Sequence, residues 1–222
     1  MTSRSKPALV EDTDPRWNWL FTLGGMAALI LLALFLIGIT RIITIGLQPN
    51  PTIGWFTSLQ NNWLIVLFSL NVEFSGVQTN LLNVLNLLDI VIMVLFGMMF
   101  LALYAALSHT SKIWSAVATS LPFLGIVIFL ITHTAGRSGL LIGGLIFSII
   151  MLGSNIFSKG SAYVGIVASV LLFFAGDIGT AIFSASKIIA LFIGVGYVLW
   201  MIWLFLIGQR LFQLGHGKSQ VA

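Results

Sequence analysis

Residues Trp63-Leu64-Ile65-Val66-Leu67-Phe68-Ser69-Leu70 decide how many times this chain crosses a membrane. The run is eight strongly apolar residues, with Gln60, Asn61 and Asn62 before it and Asn71 and Glu73 after it. A helix needs about 20 apolar residues to cross a bilayer core. This stretch is too short, so residues 53–72 read as an interfacial or re-entrant segment. Reading it as a span would reverse the side on which everything before it lies.

Outward from that stretch, the long apolar segments are plain. Trp17–Ile45, Leu82–Leu107, Ile113–His133, Ala162–Phe183 and Ile188–Phe212 each approach or exceed the spanning length. Ser138–Phe157 is a sixth, with polar residues only at Ser148, Ser154 and Asn155. The connections His109–Lys112, Thr134–Arg137, Ser158–Ser161 and Ser184–Lys187 are short, so successive helices should form antiparallel hairpins. Asp14 can cap the first helix, and Pro15 suits the first helical position. That helix should stop before Pro49-Asn50-Pro51, and Pro122 should bend the third.

Charge arithmetic chooses between six spans and seven. With six, Arg4, Lys6, Arg16, Lys112, Lys159, Arg210 and Lys218 share one side, and Arg41, Arg137 and Lys187 the other. That is seven against three, whereas seven spans give five against five. Only six spans obey the positive-inside rule. The expectation is an all-α polytopic membrane protein in the cell membrane, with both termini cytoplasmic. A cytoplasmic tail (1–16) precedes a six-helix domain (17–212) with an outer loop (47–81), and a second cytoplasmic tail (213–222) closes the chain. Trp17, Trp19 and Trp114 fall at the inner interface, Trp55 and Trp63 in the outer loop, and Trp200 and Trp203 in the inner half of the last helix.

Composition agrees. The chain has 222 residues, 59% hydrophobic and 7% charged, with a mean hydropathy of +1.09. An ordinary soluble domain carries about 25% charged residues. Disorder is excluded by the same numbers. There is no cysteine, which rules out disulfides, thiolate metal sites and cysteine nucleophiles. The net charge of +4 is a topology signal rather than a nucleic-acid signal. Glu11, Asp12 and Asp14 interrupt the N-terminal segment, which does not read as a signal peptide.

The topology sorts the polar residues. Asp89 lies about 10 Å in from the outer end of the second helix, and Asp177 lies at a similar depth in the fifth. Asn80, Asn83 and Asn86 descend toward Asp89. Arg41, His133, Arg137 and Lys187 lie at the outer ends of other helices. A lone carboxylate in lipid is costly, so both aspartates should face the bundle interior and pair with those cations. The cluster is either a polar pocket open to the outside or two structural ion pairs. Gly139–Gly143 and Ala190–Gly194 have the spacing of close helix packing, read as internal contacts.

Gly136-Arg137-Ser138-Gly139 matches the G-x-S-G motif of rhomboid intramembrane proteases. The six helices, cytoplasmic termini, large first outer loop and serine opening the fourth helix also resemble that family. The resemblance implies a histidine base on the sixth helix, but Ile188–Phe212 has none, and His216 lies beyond it. A serine without a base is a weak nucleophile. His109 and His133 bracket the third helix about 36 Å apart, too far to ligate one haem. The stretches Leu87–Leu107 and Gly196–Leu204 resemble small bacterial membrane-protein families that have a fold but no assigned activity. No metal or cofactor is expected, and no catalytic set. The expected partners are the lipid bilayer and other membrane subunits. The expected role is a non-enzymatic accessory, scaffold or assembly component. The alternatives are a small permease or sensor, and an inactive rhomboid-like protein.

Overall fold

The computed structural model describes residues 15–46, 81–132, 137–179 and 187–217, and these are helical apart from short turns. A 3-10 turn at Pro15–Trp17 leads into α1 (Asn18–Gly46). Then come α2 (Leu81–Leu107), α3 (Lys112–Thr132), α4 (Arg137–Gly153), α5 (Lys159–Leu171) and α6 (Lys187–Gly215). The axis of α5 continues as a π-helical segment over Leu172–Gly179. Residues 47–80, including the apolar octet, and Asp14 lie outside the described residues.

Among the described residues, three helical stretches are long and apolar enough to cross a membrane: Asn18–Ile37, Lys112–Phe129 and Leu191–Gly215. The shorter apolar stretches are Val91–Leu107, Ser138–Gly153 and Lys159–Ala175. Apolar residues all round a helix, as here, fit a lipid surround rather than a one-sided core.

The helices close into a ring. Each packs on its neighbours in the chain, and α6 returns to pack on α1. Adjacent glycines of α1 serve two different neighbours, since successive helical residues point about 100° apart. Gly24 faces Ala102 and Met98 of α2, and Gly25 faces Gly208 and Phe212 of α6. Asn18 and Thr22 meet Gly215, so α1 and α6 run antiparallel. Gly139 and Gly143 pack on Leu121, Gly125, Pro122 and Ala118 of α3, which runs unbroken through Pro122. Gly194 has open space around it, so the Ala190–Gly194 pair is not an internal contact at its glycine. A chain of ring contacts, edge-on at Phe35–Phe96 and stacked beyond it, joins α1, α2 and α4 through the interior. Phe35 meets Phe96 at 6.4 Å, Phe96 meets Phe100 at 6.3 Å, and Phe100 meets Phe147 at 5.8 Å.

The bundle therefore has two ends. The terminal end holds the start of α1, the end of α6 and the turns α2–α3 and α4–α5. At Ser108–Ser111 the Leu107 carbonyl accepts from the Thr110 and Ser111 amides and from Ser115 Oγ at 3.1 Å, filling the acceptor that α2 leaves open. The α4–α5 turn is Ser154–Ser158, earlier than the expected Ser158–Ser161. Ser158 caps α5, with its Oγ accepting from the Ser161 amide at 3.1 Å, so Ser161 is already helical. The distal end holds the end of α1, the start of α2, the end of α3, the start of α4, the π-helical segment and the start of α6.

Candidate functional site

The antiparallel ring places six of the seven sequence-predicted positions toward the distal end. Arg41 lies in the last two turns of α1. Asn86 and Asp89 lie in the first three turns of α2. Arg137 and Lys187 open α4 and α6, and Asp177 falls in the π-helical segment. Their side-chain contacts, and His133 altogether, lie outside the described residues. The backbone that carries Asp177 is distinctive. Hydrogen bonds running i to i+5 widen the helix by one residue per turn, and such segments often mark functional sites. Nothing in the sequence Leu172-Phe173-Phe174-Ala175-Gly176-Asp177-Ile178-Gly179 announces that geometry.

The rhomboid-type pairing does not assemble with His216. Ser138 stands in the first turn of α4 at the distal end, whereas His216 comes after α6 at the terminal end. There its Nδ1 lies 2.9 Å from the Phe212 carbonyl, with its ring 4.2 Å from that of Phe212. His109 is an exposed turn residue after α2. Among the described residues, no group of three or more His, Cys, Asp and Glu could hold a metal ion.

A second polar feature was not legible in the sequence. Ser148 of α4, Ser169 of α5 and Trp203 of α6 are fully buried where the three helices meet. A side chain on Gly165 would overlap both Ser148 Oγ and Trp203 Nε1, and Trp200 lies against Gly144. Ser148 Oγ donates to its own helix at the Gly144 carbonyl, 2.8 Å away. Ser169 Oγ and Trp203 Nε1 have no hydrogen-bond partner. An unpartnered buried polar group costs about 1–3 kcal/mol, so this junction is held by close packing against its own polar cost. Trp200 and Trp203 are buried in the core with their ring centroids 4.7 Å apart in a tilted arrangement. Their place in the inner half of the last helix is as the sequence suggests; their burial against α4 and α5 is what the structure adds.

At the terminal end, Arg210 of α6 reaches across the bundle. Its Nε donates to the Ile156 carbonyl at 2.6 Å, and its Nη1 to Gln213 Oε1 at 3.3 Å. One guanidinium thereby ties α6 to the α4–α5 turn. No family profile, curated protein or solved structure matches this chain.

Proposed function

We propose that this is a six-span membrane protein with both termini on the cytoplasmic side, acting as a non-enzymatic accessory or assembly component through helix packing. One observation carries the packing role. Only 28% of the α3 span is buried, against 44% for the α1 and α6 spans. Ile113, Val117, Leu124, Val127 and Ile128 leave an apolar stripe along α3 exposed. Its spacing keeps to one helical face, and that face is free of the internal contacts that cover α1 and α6. A photo-crosslinker at Leu124 or Val127 in native membranes should yield one identified protein adduct that does not form from exposed Ile30 on α1. Lipid adducts alone would count against the role.

The absence of cysteine makes the topology directly testable. In six spans, Ser3→Cys and Ser111→Cys react with an impermeant thiol reagent only after permeabilisation, and Ser75→Cys reacts from outside. Ser3→Cys and Ser111→Cys on opposite faces would reinstate the seventh span. A second reading, a small permease or sensor, is favoured by the π-helical backbone at Asp177 and by Asp89 at the same end. Under it, Asp89→Asn and Asp177→Asn abolish a solute-dependent response while preserving expression and melting temperature. Unfolded variants would instead mark the aspartates as structural.

A further inference from the structure

The terminal end carries exposed cations and exposed aromatic rings. Lys112 opens α3 and Lys159 opens α5, both exposed. Arg210, through its bond to the Ile156 carbonyl, fixes the turn that presents Lys159 three residues later. Tyr163 lies one helical turn below Lys159 on the same face, about 6 Å deeper, and is 59% exposed. Trp114 lies about 3 Å below Lys112 and is 60% exposed, and Trp19 at the start of α1 is 61% exposed.

The layering is that of a lipid headgroup zone. The ammonium groups stand outermost, where lipid phosphates lie, and the amphipathic rings sit below them, at the glycerol level. Among the described residues the carboxylate-bearing positions, Asp89 and Asp177, both belong to distal segments, and no ion pair engages Lys112 or Lys159.

We infer that this face binds the phosphate headgroups of anionic phospholipids, with Lys112 and Lys159 as the selecting cations. The inference rests on the membrane reading above but not on the number of spans. A basic residue near an anionic surface contributes about 1 kcal/mol, which is about five-fold in affinity.

The test uses the full chain in neutral detergent, titrated with short-chain phosphatidylglycerol or phosphatidylcholine, with bound lipid counted by native mass spectrometry. Phosphatidylglycerol should bind more tightly. Lys112→Gln and Lys159→Gln should each weaken it about five-fold and leave phosphatidylcholine binding unchanged, and Lys→Arg at either site should restore it. Raising salt toward 1 M should erode the preference as the screening length falls to about 3 Å. Equal binding of the two lipids overturns the inference, as does a double glutamine variant that keeps the preference. The acidic run Glu11–Asp14 is the competing occupant. If the preference is absent from the natural chain and emerges in Glu11→Gln/Asp12→Asn/Asp14→Asn, the tail covers the face and the inference fails. None of these outcomes alters thiol labelling, so failure here is distinct from failure of the six-span reading.

Discussion

Gly25→Ala tests the closure of the ring. A Cβ at Gly25 would lie 2.7 Å from the Phe212 amide nitrogen, 2.9 Å from the Gly208 carbonyl oxygen and 3.1 Å from the Phe212 Cα. All three are backbone atoms of α6, so no side chain can rotate out of the way. Ordinary contact begins near 3.4 Å, so the two helices must part by about 0.7 Å at their crossing. Overpacking of this kind costs about 1–3 kcal/mol. Alanine also favours a helix over glycine by up to about 1 kcal/mol, which opposes the loss. Gly194→Ala isolates that second effect, because nothing lies within 4 Å of a Cβ there. The stability difference between the two variants is therefore the packing cost, expected at about 1–3 kcal/mol in favour of Gly194→Ala. Denaturant-detergent titration monitored by tryptophan fluorescence reads it as a change in the folded-to-unfolded ratio. Equal stability of the two variants would refute the close approach of α1 and α6.

Two further substitutions probe the interior and the terminal end. Gly165→Ala should destabilise by about 1–3 kcal/mol, and adding Ser148→Ala should recover part of that, a coupling of at least about 0.5 kcal/mol in a double-mutant cycle; strict additivity would separate Gly165 from the junction. Arg210→Gln removes the donor to the Ile156 carbonyl and should lower stability by about 1–2 kcal/mol, the charged bond being discounted for partial exposure; a variant melting as the natural chain does would show that the turn holds without it.

The positions of the helices were legible because long apolar runs alternate with short polar turns. The expected Trp17–Ile45 differs from α1 by one residue at each end, and Leu82–Leu107 from α2 by one residue at its start. The fifth helix was set three residues late because Ser158 and Ser161 both look like loop residues, while only the cap geometry distinguishes them. The π-helical segment was illegible because its hydrogen-bond register depends on what α4 and α6 pack against it, not on local propensity. The grouping of Asp89, Asp177, Arg41, Arg137 and Lys187 at one end came from counting antiparallel crossings. Which of them pair is a matter of side-chain geometry that spacing alone does not encode. The glycine doublet at Gly24 and Gly25 was overlooked for a related reason. Spacing rules search for pairs four apart on one face, whereas this pair divides between two neighbours.

The return of α6 to α1 also bears on how the protein is made. The first helix is synthesised long before its last neighbour. Until α6 arrives, the Gly25 side of α1 has no permanent cover, and Ser169 of α5 lacks the wall that Trp200 and Trp203 supply. Without α6 the other five helices form an open arc, and the α1–α6 contact that closes it joins residues far apart in the chain, the kind of contact that forms slowly. The final helix acts as the clasp. A chain cut short before residue 187, or one from which α6 is cleaved, would keep two uncovered helix edges, the kind of exposed surface that makes an incomplete fold prone to misassembly.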